Sequence, residues 1–134
     1  MSDERITVWC MSGNFLDSQK FSELSAACNS FRQAGYDVSL NVELERGFDI
    51  YSVDDFLKNL ISLRPSQIDI VPSKKNIPLA QELFVVQEAL KELDVNSEGT
   101  DKQVFKIDGI CIAFHCKKVM GHMSYCVPGT LRQP

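Results

Sequence analysis

The sequence lacks several features that mark particular classes of protein. No apolar run approaches the roughly 18 residues that a membrane-spanning helix needs. The N-terminus has no positive segment followed by an apolar one, so a secretory signal is not predicted either. There is no basic excess, because the formal net charge is −4, and this argues against a general nucleic-acid binder. Internal repeats and low-complexity segments are also missing.

Histidine is scarce and cysteine is present in an odd number, with two and five residues respectively. Several of the cysteines fall in apolar runs, which indicates reduced thiols and predicts a cytoplasmic protein. The residues His115, Cys116, His122 and Cys126 are of zinc-ligand types, but their spacing matches no strong zinc pattern. We therefore predict no metal site and no cofactor.

The chain is long enough and apolar enough to form one ordinary globular domain. It has 134 residues, of which 44% are hydrophobic and 24% are charged. We predict a single α/β domain over residues 1–134. Within it, residues 96–103 are predicted to be a mobile connection, and residues 119–134 an irregular tail.

Short apolar runs alternate with segments of helical spacing. Residues 6–11, 38–42 and 68–71 are each predicted to form a buried strand, and Trp9 in the first of them is expected to belong to the core. This β-α-β order is typical of a parallel sheet covered by helices. The predicted fold class is α/β, a three-layer sandwich of the flavodoxin or Rossmann type.

Local signals predict where the helices begin and end. The first helix is expected to begin near Asp17 and to end before Gly35. Ser52 and Asp55 resemble a capping box at the start of a second helix, and Pro78 is expected to be the first residue of a third.

A C-terminal β-hairpin is predicted after the third helix. Residues 104–107 and 110–115 are β-like runs on either side of Asp108 and Gly109, and Asp-Gly is a strong signal for a two-residue turn.

Two polar turns follow predicted strands, on the side of the sheet where ligands collect. In Ser12-Gly13-Asn14, glycine would let a ligand approach the backbone, and a following helix N-terminus would favour an anion. The alternative is an ordinary turn that uses glycine for its dihedral angles. Ser73, Lys74 and Lys75 could hold a phosphate, or be plain exposed loop residues.

Three stretches carry a resemblance to a known family. They are "MSGNFLDSQKFSELSAACNSFRQAGYDV", with a Ser-Gly turn and a helix ending in "AGYDV", then "DDFLKNL" and "IPLAQELFVVQEAL". Over about residues 5 to 95 the chain resembles the nucleoside 2-deoxyribosyltransferase-like superfamily, which includes deoxynucleoside 5′-monophosphate N-glycosidases. The resemblance implies a flavodoxin-type fold, a nucleoside or nucleotide as the small-molecule partner, and cleavage or exchange of its N-glycosidic bond by a carboxylate nucleophile.

The resemblance also implies roles for individual residues. Glu82 would be the nucleophile, and Asp55 would contact the sugar or help to protonate the leaving base. Ser12, Gly13 and Asn14, with Ser73 and Lys74, would bind the phosphate or the sugar. A homodimer is implied as well. From the residues alone, Asp55 could equally cap its helix and Glu82 could be a surface charge.

One departure from the family motivates two other hypotheses. The family has a glycine and a small or aromatic residue just before the nucleophile, whereas Pro78, Leu79, Ala80 and Gln81 precede Glu82. The alternatives to an enzyme are therefore an inactive relative that binds a nucleotide or a nucleotide-derived signal, or a protein–protein interaction module such as an inhibitor.

Overall fold

Strands and helices alternate along the chain, as the apolar pattern predicts. The computed structural model describes residues 4–94 and 103–115. Their elements are β1 (Arg5–Met11), α1 (Ser18–Gln33), β2 (Asp37–Leu44), α2 (Val53–Ser62), β3 (Gln67–Pro72), α3 (Ala80–Leu93), β4 (Val104–Ile107) and β5 (Ile110–Phe114), with short 3-10 helices at Ser12–Phe15 and Ile50–Ser52. The predicted mobile connection and irregular tail lie outside the described residues, apart from residue 103.

The five strands form one mostly parallel sheet in the order β1-β2-β3-β5-β4. β1, β2, β3 and β5 run parallel, which confirms the α/β class and the parallel arrangement of the three predicted strands. β4 is antiparallel to β5. The chain passes between these two strands through Asp108 and Gly109, whose φ angles of 52° and 80° are both positive, as a type I′ turn requires.

All three helices contribute to a single apolar core on one face of the sheet. Each new parallel strand is added in the same direction, so crossovers of the usual hand place every helix on the same side. Alternate strand residues point to that side. The core includes Val38, Leu40, Val42, Ile68, Ile70 and Ile112 from the strands, and Cys28, Phe56, Leu60, Leu83, Val86 and Leu90 from the helices.

The opposite face of the sheet carries no helix among the described residues, and we call it the open face. On it, Trp9 is 69% exposed and Met11 is 38% exposed. The prediction that Trp9 belongs to the core is therefore wrong. The three-layer sandwich is not confirmed either, because the described helices form one layer. β1 carries apolar residues on both faces, which favoured burial on both sides, but the strand order places the described helices on one side only.

The helix ends agree with the sequence at some positions and differ at others. Asp17 caps α1, its carboxylate accepting hydrogen bonds from the backbone N–H groups of Gln19 and Lys20 at 3.0 Å each. The predicted capping box at Ser52 is wrong, because the Ser52 hydroxyl instead donates to Asp49 at 2.9 Å. α3 begins two residues later than predicted, at Ala80.

Within the described ranges, no helix has the length and apolar character needed to cross a membrane.

The core contains thiols that burial keeps protonated. Cys10 of β1 and Cys28 of α1 are both buried, whereas Cys111 of β5 is half-buried. Burial, together with a smaller contribution from the neighbouring Cys28 thiol, raises the pKa of Cys10 from its ordinary value of 9.0 to about 12. Burial also raises the pKa of Cys28.

We expect iodoacetamide to alkylate Cys111 in the native protein long before Cys10. A pKa of about 12 instead of 9.0 lowers the thiolate fraction of Cys10 roughly a thousandfold at neutral pH, and the thiolate is the reactive form. Peptide mass spectrometry over a time course measures both rates. Equal rates in the native state would contradict the burial of Cys10, and denaturant should make the rates converge.

The free energy of unfolding should also fall as the pH rises above 9, because the Cys10 and Cys28 thiols lose their protons at lower pH in the unfolded chain than in the folded one.

Candidate functional site

A groove of about 630 Å³ lies on the open face, at the carboxyl ends of β1, β2 and β3. We call it the strand-end groove. It is lined by Trp9 and Met11 from β1, Asn41 and Glu43 from β2, Glu45 beyond it, and residues 71–76 from the end of β3 and the following loop. This volume falls within the range of about 300 to 1,000 Å³ that small-molecule sites occupy. Ligands also bind preferentially at this end of parallel sheets.

Strand register brings the lining residues together. Trp9 pairs with Asn41, and Asn41 pairs with Asp69 on the next strand. Met11 pairs in the same way with Glu43, which pairs with Val71. Since neighbouring strands are about 4.8 Å apart, each row places side chains from distant parts of the sequence side by side.

Trp9 gives the groove an aromatic wall. It is the single tryptophan of the chain. Its large exposed fraction leaves most of the indole free to contact a ligand, and an indole offers both a flat apolar face and an N–H donor.

Asn41, beside Trp9, carries a polar atom without a partner. Its Oδ1 atom is buried and accepts no hydrogen bond from a described residue. An unsatisfied buried polar atom costs about 1 to 3 kcal/mol. A ligand would have to bring a hydrogen-bond donor to this buried atom to remove that cost.

Two lysines lie at the edge of the groove, in the loop after β3, and hydrogen bonds made by Ser73 hold this loop in place. The buried Ser73 donates its backbone N–H to the Leu44 carbonyl at 2.9 Å, and its hydroxyl accepts from the Asn76 N–H at 3.1 Å. Lys74 and Lys75 between them are exposed and form no ion pair with a described residue. Their charges are therefore not neutralised by an ion pair, and they share the groove with the carboxylates of Glu43 and Glu45.

Glu82 lies next to this loop but is engaged on both oxygens. It is 7% exposed. Its Oε1 accepts a hydrogen bond from the Leu79 N–H at 2.8 Å, and its Oε2 accepts one from the Gly47 N–H at 2.9 Å. The carboxylate thus caps α3 and ties it to the loop after β2. Glu82 does not line the strand-end groove, and its role as a nucleophile stays a prediction.

Asp55 lies elsewhere. It is exposed in the first turn of α2 and borders a separate shallow depression with Phe15 and Asn59. Neither the strand-end groove nor this depression is lined by both Asp55 and Glu82. The sugar contact proposed for Asp55 stays a prediction too.

The Ser12-Gly13-Asn14 turn has structural hydrogen bonds of its own. The Asn14 side chain accepts from the Met11 N–H at 2.8 Å, and the buried Ser12 hydroxyl accepts from the Glu45 N–H at 3.4 Å. The turn forms a 3-10 helix and does not begin α1, whose N-terminus is occupied by the Asp17 carboxylate. None of the three residues lines the strand-end groove, and their ligand contacts also stay a prediction.

A histidine–carboxylate pair on the open face was missed by the sequence analysis. His115 Nε2 lies 2.8 Å from Asp69 Oδ1, and the Gln67 amide donates to the other Asp69 oxygen at 3.2 Å. No local signal could have found this pair, because only the register of β3 with β5 brings the two residues together. The described residues contain no group of three or more potential metal ligands, and Cys116, His122 and Cys126 lie outside them.

In comparisons with known proteins, no family model, curated protein or solved structure matches this chain. The family resemblance therefore stays a prediction.

We expect Glu82→Gln to lower the free energy of unfolding by about 1 to 3 kcal/mol. Glutamine has one acceptor oxygen, so either the Leu79 or the Gly47 N–H would lose its partner in a buried position. Urea denaturation measures the change. The matched control is Glu88→Gln, whose partly exposed ion pair with Lys91 is worth at most about 1 kcal/mol. Equal losses in the two variants would contradict the structural role of Glu82.

Proposed function

We propose that the strand-end groove binds a nucleotide-like small molecule, an aromatic base joined to a phosphate, without cleaving it. The observation that carries this proposal is the exposed Trp9 ring, in one groove with the Asn41 Oδ1 atom and two lysines, none of which has a partner among the described residues. Trp9 and Asn41 lie side by side in one row of the sheet, and the lysines follow in the loop after β3.

Each feature suits one part of such a ligand. Stacking of a base on an aromatic side chain contributes about 1 to 3 kcal/mol and tolerates any base. The Asn41 amide can exchange hydrogen bonds with the polar edge of a base. Lys74 and Lys75 can form charge-assisted hydrogen bonds with a phosphate.

The state of Glu82 supports binding over cleavage. A nucleophilic carboxylate must reach the anomeric carbon of its substrate. Both Glu82 oxygens instead accept backbone hydrogen bonds below 3 Å, and the side chain borders no part of the groove. Attack would require these two hydrogen bonds, which join α3 to the loop after β2, to break.

Nucleoside 5′-monophosphates should quench the fluorescence of the wild-type protein, because Trp9 is its single tryptophan. The panel contains AMP, GMP, CMP and UMP, with the matching nucleosides and inorganic phosphate for comparison. Binding should also raise the melting temperature. If neither signal changes with any nucleotide, the proposal is wrong.

Two variants separate the contributions of the base and the phosphate. Trp9→Ala should weaken nucleotide binding by about tenfold or more, measured by calorimetry, since one base stack is lost. The double variant Lys74→Ala, Lys75→Ala should bind nucleotides no better than nucleosides. The control is Lys20→Ala, an exposed lysine of α1 outside the groove, which should leave affinity unchanged.

The enzymatic hypothesis is tested with the same ligands in their deoxy forms. We expect 2′-deoxynucleoside 5′-monophosphates to be recovered intact after long incubation with the protein, as measured by chromatography of released base. Base release that Glu82→Gln abolishes, while Glu88→Gln retains it, would replace the binding proposal with an N-glycosidase. Circular dichroism must show that both variants are folded under the assay conditions.

A further inference from the structure

β1 is an edge strand with little protection against pairing. Within the described residues it pairs only with β2. The sheet's other edge, β4, is four residues long and carries Lys106. β1 has seven residues, no proline or lysine, and a single charge at Arg5. Long edges without such protection are templates for pairing with another strand.

The backbone groups that face outward from β1 can be identified from its hydrogen bonds. The Glu4 carbonyl accepts from the Asp37 N–H at 3.0 Å, so the even-numbered residues of β1 turn their backbone groups toward β2. The odd-numbered residues therefore face the free edge. Among them, Met11 already donates its N–H to the Asn14 side chain at 2.8 Å. The outward backbone groups of Arg5, Thr7 and Trp9 have no hydrogen-bond partner among the described residues.

These three residues are spaced symmetrically about Thr7. We propose that two copies of the chain form a two-fold dimer by antiparallel pairing of β1 with β1, centred on Thr7. Thr7 then lies opposite Thr7 of the partner subunit, and Arg5 lies opposite Trp9 of the partner subunit. This register pairs every outward N–H and C=O group of the three residues and leaves the Met11–Asn14 hydrogen bond intact.

Side chains on both faces fit the same register. On the open face, Arg5 of the partner subunit lies beside Trp9, and its guanidinium can keep the ion pair with Asp37 that it forms at 3.3 Å within its own subunit. On the helix side, Ile6 lies opposite Val8 of the partner subunit, and both residues are only half-buried in one copy. No like charges face each other, since Arg5 is the only charged residue of the strand.

A register shifted by two residues fits less well. Centring the pair on Val8 would place Met11 opposite Arg5 of the partner subunit. That pairing needs the Met11 N–H that Asn14 already accepts. A shift by one residue would instead turn the helix-side residues of one strand toward the open face of the other.

Sedimentation equilibrium of the full chain over about two decades of concentration tests the proposal. We expect the mass to rise from monomer to dimer in the unmodified protein and to stay monomeric in Thr7→Pro. Proline removes the outward N–H of Thr7 and spares the backbone hydrogen bonds to β2, with only the 3.1 Å contact between the Thr7 and Ser39 hydroxyls lost, so the fold should persist. The matched control, Thr7→Ser, keeps the N–H and should still dimerise. A monomer at every concentration in the unmodified protein overturns the proposal, as does a Thr7→Pro variant that is folded and dimeric.

Oxidative cross-linking tests the register of the β1–β1 pair. It does not depend on whether the Thr7→Pro variant folds. Directly opposite residues of a hydrogen-bonded antiparallel pair have Cα atoms about 5.5 Å apart, within disulfide range. Thr7→Cys should therefore form a covalent dimer on oxidation. Arg5→Cys should not exceed the unmodified protein, because its two copies would be about 13 Å apart. Equal cross-linking of the two variants overturns the register. This outcome is independent of nucleotide binding, which is read from fluorescence.

Discussion

The strand order is the constraint on which the other features of this structure depend. β1, β2, β3 and β5 follow one another in a single direction across the sheet, so the helices between them all cover one face. A doubly wound sheet reverses direction and is covered on both faces. Here the open face keeps Trp9 exposed and lets the strand ends form a groove, and β1 has β2 as its one neighbour within residues 4–94 and 103–115.

The second organising interaction is the clamp made by Glu82. Its carboxylate joins the start of α3 to Gly47, whose φ of 90° turns the loop after β2. The Arg46 N–H reaches the Asn76 carbonyl at 3.0 Å and joins the same loop to the one that carries the lysines. The family resemblance predicts a nucleophile at Glu82, and in the structure both of its carboxylate oxygens accept backbone hydrogen bonds that join α3 to the loop after β2.

Predictions made from local patterns were mostly confirmed. The helix after Asp17 and the strands near residues 6–11, 38–42 and 68–71 follow from apolar periodicity and from turn residues, which act over a few positions. The capping box predicted at Ser52 was wrong because the Ser52 hydroxyl donates its hydrogen bond to the carboxylate of Asp49, three residues earlier. A sequence motif does not show which of several neighbouring groups a hydroxyl will bind.

The sequence alone determined the α/β class, because alternating strand and helix periods leave few other ways to bury the apolar residues. It also identified Ser73 and Lys74 as residues at a strand end. Only the tertiary structure decided that Trp9 is exposed, that it lies beside Asn41, and which residues line the groove. A two-residue period shows that a strand has two faces, but which face is covered depends on the order and register of strands far apart in the chain.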